Sequence, residues 1–217
     1  MTDVHNLGLF ILAGWLLNLT PGPDVLFIVS SALRSGAKAG VVAALGITAG
    51  CFVHIFAAAL GVSALMAASS TAFTVLKWAG AAYLFYVGLK LVLSPGTKPV
   101  ELTAENPVQT SDKHLKSIFF KGFLTNTLNP KVALFFLAFV PQFIAPQASH
   151  PALTFVLLGV LFNVNALPVN VGYALLAAWA TRRLGAVQRA LHWLDRVAGV
   201  MFVGFGIRLA LTEAPGG

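Results

Sequence analysis

Charge is scarce in this sequence. Only 10% of its 217 residues are charged, and the acidic ones number seven. Water-soluble domains carry about a quarter charged residues, so a soluble fold is excluded and lipid is the expected solvent. Cysteine occurs once, at Cys51, which excludes an internal disulfide and a two-thiol redox relay. The opening residues MTDVHNLG contain no Lys or Arg. The basic start of a cleavable signal peptide is therefore missing, and the first apolar segment is expected to stay. Histidines are few, and His54 alone lies well inside an apolar run with no motif around it. The grouped ligands of a metal site and the nucleophile–base pairs of a hydrolase are not there. The expectation is no enzyme, no metal and no cofactor.

What the chain has instead is 58% hydrophobic residues and a mean hydropathy of +0.84. Crossing about 30 Å of hydrocarbon takes roughly 20 helical residues, and apolar runs of that length recur. The reading is six spans, at about 7–33, 39–67, 72–93, 118–144, 151–180 and 192–212. With that count, connections 1–2, 3–4 and 5–6 share one face. It collects Arg34, Lys38, Lys90, Lys98, Lys113, Lys116, Lys121, Arg182, Arg183, Arg189 and Arg196, 11 of the 14 basic residues. By the positive-inside rule that face is cytoplasmic and both termini lie outside. The net charge of +7 is thus a topology signal. It indicates an anionic bilayer surface and no nucleic acid as partner.

One polar stretch, 94–117, carries three prolines and reads as a cytoplasmic linker between a first three-helix unit (1–93) and a second (118–217). Laying GWLLNLTPGPDVLFI (Gly14 to Ile28) over GFLTNTLNPKVALFF (Gly122 to Phe136) matches Gly, Leu, Asn, Leu and Phe, with the proline breaks within one residue of each other. YLFYVGLKLVL and MFVGFGIRLAL match similarly in spans three and six. An odd number of spans per unit turns the second copy upside down. The expected fold is an all-α integral membrane protein of two inverted three-helix repeats, with helices 1 and 4 broken.

The breaks carry the chemistry. Pro21 and Pro23 lack backbone N–H groups, so the carbonyls of Leu17 and Leu19 lose their helical donors, and Pro130 does the same to Asn126. Asn129 stands where an N-cap is expected, with proline at the first helical position. Asp24 lies ten residues from cytoplasmic Arg34, and Lys131 ten from Lys121. Both come out about 15 Å deep, and at that depth a charge needs a partner or a polar cavity. Half-helix N-termini suit a carboxylate, and the freed carbonyls suit an ammonium. Together they describe a site for a zwitterion such as an α-amino acid, with Asp24 either binding the ammonium or carrying a proton. The candidate site is Asn18, Thr20, Pro21, Gly22, Pro23, Asp24, Asn126, Asn129, Pro130 and Lys131. Asn163, Asn165 and Asn170, around Pro168 in FNVNALPVN, repeat the pattern of polar groups at a break, and either line the pathway or bond between helices. His54 is either a proton relay or a satisfied buried histidine. Gly46 and Gly50 read as a close-packing pair.

These stretches, NLTPGPDVLFIV, GAAYLFYVGLKLVL and KGFLTNTLNPKVALFFLAFVPQF, resemble the LysE/RhtB family of bacterial amino-acid exporters. The resemblance implies a protein of the bacterial inner membrane that exports basic or neutral amino acids, or threonine- and homoserine-like derivatives, by proton exchange. It maps onto Asn18, Thr20, Pro21, Gly22, Pro23 and Asp24 and onto Asn126, Asn129, Pro130 and Lys131. It does not select one amino acid, and homo-oligomerisation stays open. Two other readings compete with it: export of a cation or metal, which would want several acids at the midplane, and a non-transporting membrane scaffold.

Overall fold

A computed structural model describes residues 3–68, 111–145 and 147–179, with isolated helical positions between 74 and 93 and between 200 and 207. The described residues contain no strand, and one isolated bridge pairs Val4 with Ile144. Helix α1 (Leu7–Leu19) ends where TPGP begins; Thr20 is already extended, at φ −78° and ψ 118°. Helix α2 (Pro23–Ala68) starts at the second proline and is interrupted at Gly36, at φ 82° and ψ 176°, a conformation that a residue with a Cβ rarely adopts. There the chain doubles back. A Cβ on Gly40 would sit 2.7 Å from that of Ala32, whereas residues eight apart in a straight helix are about 12 Å apart. Ser35 Oγ lies 3.1 Å from His114 Nε2, which ties this turn to the next helix.

The 13 residues of α1 rise only about 20 Å, less than a bilayer needs. The stretch expected as a first span, 7–33, falls on α1 and the arm from Pro23 to Gly36, with TPGP between them. Helix α3 (Asp112–Thr127) begins inside the stretch read as linker, because Ser111 caps it by accepting from His114 N. Its polar first turns extend the apolar part expected from 118. Helix α4 (Pro130–Leu134) follows, and the chain then loosens into a π-helical turn (Phe135–Phe139) and tightens into a 3₁₀ turn (Val140–Phe143). Helix α5 (Pro151–Trp179) runs straight through Pro168. The break expected in FNVNALPVN does not form: one proline removes one bond, which neighbouring helices in a membrane can tolerate. TPGP removes two and adds a glycine.

By length and composition Pro151–Trp179 and Pro23–Gly61, the latter folded back at Gly36, hold enough apolar helix to cross a membrane, and Asp112–Thr127 joined to Pro130–Phe143 across a 46° bend forms a third candidate. Expected spans three and six, and the linker up to residue 110, fall largely outside the described residues. Large apolar side chains such as Leu60, Leu157, Leu176 and Trp179 face outward, as a lipid solvent allows.

Helix α2 packs mainly on α3 and α5. On its α3 side Gly46 faces the backbone of Phe119, and Gly50 faces the carbonyl of Phe123 and Cβ of Asn126. In return, a Cβ on Gly122 would come within 2.7 Å of the Ala43 carbonyl. The pair thus sets backbone-to-backbone approach. A phenylalanine cluster fills the other half of the core, with Phe135–Phe162 at 4.9 Å and Phe10–Phe143 at 5.3 Å between ring centroids. Residues Asp3 and His5 bond to Ala145 and Phe143 above it.

Gly50→Leu should push α3 away and lower stability in detergent by about 1–3 kcal/mol or more. Gly8→Ala, where nothing lies within 4 Å of an added Cβ, should leave the melting temperature within a degree or two, about the width of a neutral change. Thermal unfolding of the two purified variants compares them directly.

Candidate functional site

The site grows from three backbone carbonyls whose helical partner four residues on is a proline; of these, Asn126 O regains a backbone donor from Asn129 N at 2.9 Å. Each accepts a hydrogen bond from a side chain on another element. The Lys131 ammonium donates to the Leu17 carbonyl at 2.9 Å and to that of Thr20 at 2.9 Å. The Tyr173 hydroxyl donates to Leu19 O at 2.8 Å. His54 Nε2 lies 2.8 Å from Asn126 O, so that nitrogen carries the hydrogen, since a carbonyl only accepts. Thr20 closes the end of α1 itself, donating from Oγ1 to Leu16 O at 2.5 Å. These carbonyls, expected to receive a substrate ammonium, are therefore answered by the protein's own side chains.

Around them lies a small polar cleft of about 30 Å³, room for a water molecule or two as it stands. Leu17, Asn18, Thr20, Gly22, Asp24 and Val25 come from the first break; Asn126, Asn129, Lys131 and Val132 come from the second. Ile47 and Cys51 on α2, and Phe162, Asn163, Ala166 and Asn170 on α5, complete the lining. Asp24 Oδ2 accepts from Asn126 Nδ2 at 2.8 Å, and this bond joins the two breaks. Asn129 Oδ1 caps α4 by accepting from Lys131 N at 3.0 Å. Asn163 Nδ2 donates to Thr48 O at 3.0 Å. Lys131, Asn129 and His54 all stand within electrostatic reach of the Asp24 carboxylate.

Three polar atoms in this lining are buried and have no hydrogen-bond partner among the described residues. They are the acceptors Asp24 Oδ1 and Asn126 Oδ1 and the donor Asn18 Nδ2. Buried polar atoms are nearly always bonded, so a cleft carrying three such atoms is built to receive something polar.

Residues 15–213 match the LysE type translocator family. The chain belongs to the LysE type translocators. An uncharacterized membrane protein of Pseudomonas aeruginosa is 38% identical over 199 residues, 88% of either chain. The leucine efflux protein of Salmonella choleraesuis is 28% identical over 211 residues, 97% of either chain. A Vibrio cholerae membrane protein is 30% identical over 212 residues, which cover 98% of this chain and 100% of its own. No solved structure matches.

This LysE type translocator is a transporter, not an enzyme. Of the residues singled out in its sequence, Asn18, Thr20, Gly22, Asp24, Asn126, Asn129, Lys131, Asn163 and Asn170 come together in the cleft. Pro21, Pro23 and Pro130 act through the bonds they remove. His54 sits behind the lining, its ring parallel to that of Phe136 at 6.5 Å. Asn165 is half-buried and not part of the lining. Tyr173 escaped sequence reasoning, although Asn163, Ala166, Asn170 and Tyr173 follow the spacing of one helical face.

Tyr173→Phe removes the donor to a carbonyl that lost its own to Pro23. The loss should cost about 1–3 kcal/mol, read as a lower melting temperature of the purified variant.

Proposed function

We propose that this translocator exports neutral amino acids with aliphatic side chains from the bacterial cytoplasm in exchange for protons. The reading is carried by the unpartnered acceptors Asp24 Oδ1 and Asn126 Oδ1 and the unpartnered donor Asn18 Nδ2, set in one cleft with the Lys131 ammonium. A zwitterion answers all of them. Its ammonium goes to Asp24 and Asn126, and its carboxylate goes to Asn18 and Lys131, as charge-assisted hydrogen bonds favour.

The rest of the lining suits an aliphatic side chain, with Ile47, Val132, Phe162 and Ala166 as the apolar wall. A cationic side chain would want a second carboxylate, and among the described residues of the lining Asp24 is the one acid. The leucine efflux protein of Salmonella choleraesuis supports the same choice. Asp24 is the coupling carboxylate, taking the proton when substrate leaves.

The architecture that goes with this reading is six spans in two inverted repeats, residues 1–93 and 118–217, joined by a cytoplasmic linker at 94–117. It places the protein in the inner membrane with both termini outside. The two breaks described here would be the symmetry-related pair at its centre.

Purified protein in liposomes loaded with unlabelled leucine should take up labelled leucine by counterflow, with valine and isoleucine competing and lysine not. No counterflow with any amino acid would refute the proposal. Asp24→Asn should insert and fold yet lose accumulation driven by a pH gradient by at least about tenfold, the reach of one acid–base group. Unchanged accumulation would remove Asp24 from coupling.

A further inference from the structure

We propose that Lys131 is a latch that only a carboxylate-bearing substrate releases, so that recognition of the carboxylate unlocks the broken end of α1. The inference rests on the transport reading above and goes beyond it to the step that follows binding.

Of the three side chains that answer the proline-freed carbonyls, Tyr173 and His54 stand outside the lining, and Lys131 stands in it. Lys131 is also the one whose donor is a compact amino group on a flexible four-carbon stem. Its ammonium spans the break, holding Leu17 O and Thr20 O at 2.9 Å each. Those are the last turn of α1 and the residue that ends it. While both bonds stand, α1 is tied to α4, and the two halves of the site cannot separate at that point.

A carboxylate brought into the cleft changes the balance. An ammonium bonds a carboxylate more strongly than a neutral carbonyl, and the difference grows where water is excluded. Gly22 lies against the lysine stem: a Cβ there would sit at ordinary contact distance, 3.4 Å from Lys131 Nζ and 3.8 Å from its Cδ. Once Nζ turns to the carboxylate, the Leu17 and Thr20 carbonyls lose a donor. The end of α1 is then held by Tyr173 and by Thr20's own bond to Leu16. An amine without a carboxylate can still bind Asp24, but it gives Lys131 no reason to let go. The latch thereby separates amino acids from the amines that share their side chains.

The native chain contains its own reporter, because Cys51 is the single cysteine and lies buried in the lining. The rate of Cys51 alkylation by N-ethylmaleimide would be measured on detergent-solubilised full-length protein. Leucine should change that rate several-fold. Isopentylamine, which is leucine without its carboxylate, should compete with leucine in counterflow and leave the rate unchanged. In Lys131→Met the rate should lose its dependence on leucine. Lys131→Gln, which keeps a neutral donor, should lose it too and serves if the Met variant does not fold. A leucine effect that persists in a folded Lys131 variant, or an isopentylamine effect equal to leucine's in the native protein, overturns the latch. Absence of counterflow in the native protein overturns the transport reading instead, so the two failures are told apart.

Discussion

A carbonyl stripped of its donor by proline cannot turn to water inside a membrane, and the centre of this protein is organised by that constraint. Each unanswered group in hydrocarbon costs several kcal/mol. Pro21 and Pro23 create such groups at Leu17 and Leu19, while the Asn126 carbonyl opposite Pro130 regains Asn129 N as a donor, and the protein brings a side chain from a different element to each of the three. The breaks therefore do more than bend helices. They oblige α4, α5 and the second arm of α2 to converge on two points, and the cleft is the space enclosed by that convergence.

Convergence in turn requires close approach. The glycines at 46, 50 and 122 let α2 and α3 come backbone to backbone, which brings Asn126 to the carboxylate of Asp24. On the other side, loosening of the chain after α4 into π and then 3₁₀ geometry turns Phe135, Phe136, Phe139 and Phe143 into one aromatic mass with Phe10, Phe155 and Phe162. Phe162 belongs both to that mass and to the cleft wall. Small residues on one side and rings on the other enclose the polar site.

Charge placement follows the same logic. Asp24 and Lys131 are costly inside a bilayer, and a purely structural protein could have used an amide at either position. Each charge is tied to the opposite break, Asp24 through Asn126 and Lys131 through the carbonyls of α1, so anything that recruits either charge acts on both halves at once.

The sequence by itself determined the lipid solvent, the two breaks, the carbonyls that lose their helical donor to proline and the chemical type of nine lining residues. All of these depend on local facts: run length, the missing N–H of proline, and polar side chains beside it. The same local reading overstated Pro168, where a break was expected and α5 stays continuous, because tolerance of one lost bond depends on the surrounding helices. It also passed over Tyr173, since a tyrosine on an apolar helix carries no mark of its partner. Only the tertiary structure decided which donor answers which carbonyl. Lys131 meets Leu17 across 114 residues and Tyr173 meets Leu19 across 154. Such pairings depend on how helices are rotated and spaced against one another, which the packing of glycines and phenylalanines sets.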